Sequence, residues 1–191
     1  MKNTILALLL ISASSFSAQV TIGKGVGPSA VKTSVLLEFA AGQNKGIIVP
    51  YVRTLPAAPT EGTIILDARD LSNARMKFYD GNTTTGSSGY VDLSGQAGNI
   101  TAVMGTEPAT TVAEVPSSRT VIGTLPSNFP TGFPEGVLVL NSTTKAMVLP
   151  IVADVQNILQ PSPGMMVYVN KQGSKRLAVF NGSKWSFWQP N

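Results

Sequence analysis

The sequence predicts a mainly β protein made of two copies of a small β-rich unit joined by a Gly/Ser/Thr/Pro-rich connector. The first observation behind this is an imperfect internal repeat. Lys45-Gly46-Ile47-Ile48-Val49-Pro50 returns as Lys145-Ala146-Met147-Val148-Leu149-Pro150, and Gly62-Thr63-Ile64-Ile65-Leu66 as Gly164-Met165-Met166-Val167-Tyr168. Met76-Lys77-Phe78-Tyr79-Asp80-Gly81 matches Leu177-Ala178-Val179-Phe180-Asn181-Gly182, and Tyr90 stands where Trp185 stands. Such a repeat is one supersecondary unit used twice. The second observation is that the apolar runs are short, rich in β-branched and aromatic residues, and separated by turn formers, the pattern of strands. The third is composition: residues 94–135 are dominated by Gly, Ser, Thr, Pro and Ala, the signature of a linker.

Taken in order, residues 1–18 read as a secretory signal. Lys2 precedes an apolar run from Ile5 to Ile11, and small residues follow from Ser12 to Ala18. That run is too short to span a bilayer, and no later stretch is long and apolar enough to be a membrane helix. Residues 19–33 are Gly-rich and polar, a flexible leader with little to bury. Gly23-Lys24-Gly25-Val26-Gly27 within it resembles a phosphate loop only superficially, because it lacks the Gly-Lys-Ser/Thr ending.

Unit 1 (34–93) is expected to hold strands near 34–40, 46–52, 63–67, 75–79 and 89–93. Unit 2 (136–191) is expected to hold them near 136–140, 145–152, 165–169, 176–180 and 184–188. Pro50 and Pro150 fall inside apolar runs, and a proline donates no ladder hydrogen bond. Those strands must be bent, bulged or at an edge. Asp80-Gly81 and Asn181-Gly182 suit positive φ and turn the chain into the last strand of each unit. Asp154 to Leu159 has a helix-like pattern that Pro161 ends, so one short helical turn is expected there.

The charge balance excludes several function classes. The full chain of 191 residues carries a net charge of +4 with only 13% charged residues and no run of Lys or Arg. A nucleic-acid partner would need clustered basic residues, so none is expected. Attraction to an anionic cell envelope would be weak. The chain has no Cys and no His. Without them it cannot carry a disulfide, a lipid-anchoring cysteine, a thiol nucleophile or a Ser-His-Asp triad, and the commonest transition-metal ligands are missing. Ser174-Lys175 and Ser183-Lys184 lie in turns and lack the Ser-x-x-Lys spacing of acyl-transfer enzymes. No enzyme activity, cofactor or catalytic residue is therefore expected. Asp67, Asp70 and Asn73 could offer oxygens to calcium from one loop, but Asn170-Lys171-Gln172-Gly173 in the other unit lacks the acids, so no metal site is assigned.

The one segment suited to a ligand is Trp185-Ser186-Phe187-Trp188, since aromatic faces stack on sugar rings. Strand alternation puts Trp185 and Phe187 on one face and Ser186 and Trp188 on the other. Trp185 corresponds to Tyr90 and reads as structural. Trp188, with Tyr168 and Tyr79, is the candidate ligand or interface contact, and the candidate partners are a surface glycan, an envelope component or another copy of the chain. The Pro-Asn tail and the small strand count argue against an outer-membrane barrel.

Several of these segments resemble uncharacterised secreted proteins of flavobacteria, in which a Gly-rich "VTIG" segment precedes units with a Lys-Gly-apolar-Pro strand and a closing Asn-Gly-x-x-Trp. The matches are Gln19-Val20-Thr21-Ile22-Gly23, Lys45-Gly46 with Pro50, and Phe180-Asn181-Gly182-Ser183-Lys184-Trp185. The first unit departs from the pattern by inserting residues 82–89 before Tyr90. The resemblance implies a surface or fibre component and supplies no catalytic residue.

Assembly follows from size. Each unit holds fewer than 65 residues, and a domain below about 70 residues rarely buries enough apolar surface without a disulfide, a metal or a partner. The units must pack on each other or on other chains, and the long connector favours association into a homo-oligomer. The expected function is a non-catalytic structural or adhesive component, exported to the cell surface or the extracellular space. A carbohydrate-binding module is the alternative.

Overall fold

A computed structural model describes residues 19–23, 25, 27–29, 33–84, 88–103, 119–125 and 136–188. The expected signal segment and much of the expected connector lie outside them. The protein is mainly β, as its short β-branched and aromatic runs require. Its one described helical element is a 3-10 turn at Val155–Asn157, capped by the Asp154 side chain accepting from Gln156 N.

The sheet of the second half runs β11 (Ile151–Val152), β12 (Met165–Val169), β13 (Arg176–Phe180), β14 (Trp185–Trp188). In the first half the order is β4 (Tyr51–Val52), β5 (Ile64–Asp67), β6 (Arg75–Tyr79), β7 (Tyr90–Asp92). Both open with a parallel pair and continue as an antiparallel meander. Their backbone bonds also correspond. Leu66 N donates to Pro50 O and Tyr168 N to Pro150 O, each at 2.9 Å, while Gly62 N donates to Tyr79 O and Gly164 N to Phe180 O, each at 2.8 Å. The prolines thus serve as acceptors where they cannot donate. Gly81 and Gly182 both take positive φ, 76° and 99°, at the turns read from the sequence.

Several expectations are corrected. The apolar runs 46–52 and 145–152 are not single strands. Each breaks before its proline, so that β3 (Ile47–Ile48) and β10 (Ala146–Met147) leave for other sheets. β3 lies antiparallel on the edge of β12, with Ile48 opposite Met165, so it crosses from the first half to the second. β10 crosses the other way and lies parallel to β2 (Val35–Phe39). The run 34–40 accordingly does not join β4 to β7. β2 pairs on its other edge with β1 (Val20–Ile22), a strand contributed by the Gly-rich leader. The run 136–140 becomes β9 (Leu138–Asn141), which pairs in parallel with β8 (Thr120–Gly123) from the connector.

The two meanders face each other. Side chains on one face of β12 and β13, Met166 and Val179, share a buried cluster with Val49, Leu66, Met76, Leu93 and Ile100 of the first half. The opposite face of the second sheet carries its own cluster, Val152, Ile158, Met165, Val167, Val169, Ala178 and Phe180. In the first half the corresponding outward face is charged: Asp67, Arg75, Lys77 and Asp92 stand opposite or beside one another across β5 to β7. The face of the meander turned away from the shared cluster therefore carries a second buried apolar cluster in the second half and ion pairs in the first.

Candidate functional site

The richest polar arrangement is the seam along which residues 93–99 run beside β14. Trp188 Nε1 donates to Leu93 O at 2.7 Å, Ser186 Oγ donates to Ser94 O, and Gln96 Nε2 donates to Ser186 Oγ at 3.3 Å. Asn99 N donates to Ser183 Oγ at 2.9 Å. The centre is Asn181, fully buried, whose Nδ2 donates to Gln96 O at 2.8 Å. Its Oδ1 accepts from Ser183 N at 3.0 Å and Lys184 N at 2.9 Å. Buried amides must be paired, and this one satisfies itself by tying the turn of the second half to the backbone of the first. Gly98 fits because it has no side chain: a Cβ there would run into the Asn181 carbonyl and, at 2.6 Å, its Oδ1.

The three aromatics singled out from sequence do not form one site. Tyr168, Leu177 and Trp188 stand opposite one another in a row across β12, β13 and β14, so Tyr168 and Trp188 share a face, two strand spacings apart. That face is turned towards the first half, since Leu177 packs against the shared cluster. Trp188 is 47% exposed, with its only donor committed to Leu93. Tyr79 belongs to the other sheet, where its ring meets Tyr90 at 5.1 Å and 57°. Trp185 mirrors Tyr90: its ring meets Phe180 at 5.2 Å and 43°, packed against the second cluster. Phe187 lies under the Arg176 guanidinium, 4.0 Å from ring centroid to Cζ, where the corresponding pair of the first half is the ion pair Arg75–Asp92. A cation–π contact thus stands in the place of a salt bridge.

The acidic loop weighed for calcium is already neutralised. Asp67 accepts from Arg69 Nε and Nη2 at 2.9 Å each and from Lys77 Nζ at 2.8 Å. Burial works to raise its pKa, but these cationic donors outweigh it and hold the carboxyl well below the usual range. Asp70 accepts from Ser72 and Asn73. Asp67, Asp70 and Asn73 line a shallow depression with Arg69 and Lys77. Among the described residues no helix is long and apolar enough to cross a membrane.

Sequence reasoning missed the seam. Gln96-Ala97-Gly98-Asn99 has linker composition, and its order comes from partners 84 to 90 positions away that no local pattern reveals.

Residues 127–190 match a protein family described as a phage tail like trimerisation region. The matched stretch is about a third of the chain and holds β9 to β14. It points to self-association. Comparison with curated proteins and with solved structures finds no match.

Proposed function

We propose that this chain is an exported, non-catalytic structural component that assembles as a homotrimer at the cell surface or outside the cell. The similarity of residues 127–190 to a trimerisation region carries the reading. One further observation supports it. Val137, just before β9, and Leu138, its first residue, are 67% and 48% exposed, which leaves apolar surface for a contact between copies. Export rests on the charged, apolar and small-residue order of residues 1–18.

Native mass spectrometry of the secreted protein tests both parts. The expected species has three chains, each starting at Ala18 or Gln19. A single-chain species, or one retaining Met1, overturns the corresponding part. Antibody labelling of intact and protease-shaved cells tests surface display, with loss of signal after shaving expected.

A glycan-binding role is the second reading, favoured by the half-exposed ring of Trp188. It predicts sugar binding on a glycan array that Trp188→Ala abolishes, and an array without any binding removes it.

A further inference from the structure

The two halves share more than the meander. β1 and β8 are counterparts: each ends at a positive-φ glycine, Gly23 at 113° and Gly123 at 120°, and each lies parallel to the strand that follows it. Their registers fix further correspondences. Ile22 faces Phe39 as Ile122 faces Leu140, and Val20 faces Leu37 as Thr120 faces Leu138. The ribbon β1–β2 therefore equals the ribbon β8–β9.

Their surroundings differ at the second edge of the ribbon. β2 carries β10 on its second edge, with Ala146 opposite Val35 and Met147 opposite Leu37. No strand lies on the second edge of β9 among the described residues. Burial differs as well: Leu37 is 0% exposed and Leu36 2%, whereas their counterparts Leu138 and Val137 are 48% and 67% exposed. A short apolar edge left open in this way is a template for strand addition.

The repeat also identifies what fits there. The counterpart of β10 is β3, because Lys45-Gly46-Ile47-Ile48 matches Lys145-Ala146-Met147-Val148. β3 spends one edge on β12, and Ile48 remains 52% exposed. Within one chain β3 sits on the meander, and among the described residues β9 stays open on its second edge.

We propose that β3 of a second copy of this chain adds in parallel to the open edge of β9, setting Gly46 opposite Gly136 and Ile47 opposite Leu138. The contact is heterologous, so three copies joined β3 to β9 can close a ring. The inference rests on the homotrimer reading and supplies its contact.

The absence of cysteine makes the test clean, since any thiol must be introduced. Ile47→Cys combined with Leu138→Cys, treated with a short bis-thiol crosslinker, should give linked dimers and trimers on a denaturing gel. Leu37→Cys with Met147→Cys, which the fold already sets opposite each other, should link only within one chain. As a second variant, Leu138→Lys should convert the trimer to monomer while keeping the β signal in circular dichroism. A trimeric preparation that shows no interchain link and stays trimeric with Leu138→Lys overturns this contact and leaves the trimer reading standing. Linking confined to single chains also overturns it. A wild-type protein that is monomeric overturns both.

Discussion

The indole Nε1 of Trp188 donates to the carbonyl of Leu93 across 2.7 Å, and these residues hold the same place in the two halves of the chain. Each lies three positions after the aromatic, Tyr90 or Trp185, that opens the last strand of its meander. Contact between corresponding positions means that the halves meet through like faces, as a two-fold pair does. Trp188→Phe keeps the ring and loses this bond, so a loss of about 1 kcal/mol is expected in urea unfolding at fixed protein concentration. Trp185→Ala removes a packed ring and should cost about 3 kcal/mol, the low end for such truncations because the ring is only half-buried. Equal losses would mean that Trp188 is as deeply integrated as Trp185.

Asn181 should be the most sensitive polar position of the seam. Asn181→Ala leaves Gln96 O and the amides of Ser183 and Lys184 without that side chain, and about 2–3 kcal/mol is expected. Asn181→Asp preserves the acceptor and turns an oxygen towards Gln96 O, so it should be nearly as damaging. A neutral effect of either, read by thermal unfolding, would detach the seam from stability.

Gly46 tests the crossing of β3. A Cβ there would meet the Met165 side chain and, at 2.8 Å, the carbonyl oxygen of Met166. Gly46→Ala should therefore cost about 1–3 kcal/mol by overpacking, although its counterpart at position 146 is alanine already. Hydrogen exchange at Ile47 and Ile48 should rise in this variant, and unchanged protection would argue against the β3–β12 pairing.

The repeat made the meanders legible, because the strand, turn and aromatic positions recur in one order. The two glycine turns and the prolines as interruptions were legible for the same reason, and the short helical turn from the helix-like pattern of Asp154 to Leu159 that Pro161 ends. The crossings of β3 and β10 were not. Two residues carry no period, and which edge they join depends on partners about a hundred positions away. β1 and β8 were hidden by composition, since Val20-Thr21-Ile22 sits in a Gly-rich leader and Thr120-Val121-Ile122 in a polar connector. Among the site residues, the alternation of Trp185 and Trp188 could be read locally, whereas the separation of Tyr79 from Tyr168 required the packing of the two sheets.

Acid should weaken the first half. Burial opposes ionisation of Asp67, but its bonds to Arg69 and Lys77 prevail, so its folded pKa lies below the unfolded value of about 3.9. The carboxylate then contributes stability that is present above that value and is lost as pH falls below about 4. Asp92 has the same sign: burial works against it, and its bonds from Ser94 and Arg75 lower it. Unfolding free energy should decline from pH 5 to pH 2, and Asp67→Asn should flatten part of that decline. An identical slope in the variant would show that Asp67 is not its source.

Light scattering of the mature protein over a wide dilution series reads out the proposed trimer. A trimer gives a mass of three chains that persists on dilution and a thermal midpoint that rises with protein concentration. A homogeneous single-chain mass, with cooperative unfolding independent of concentration, would contradict it.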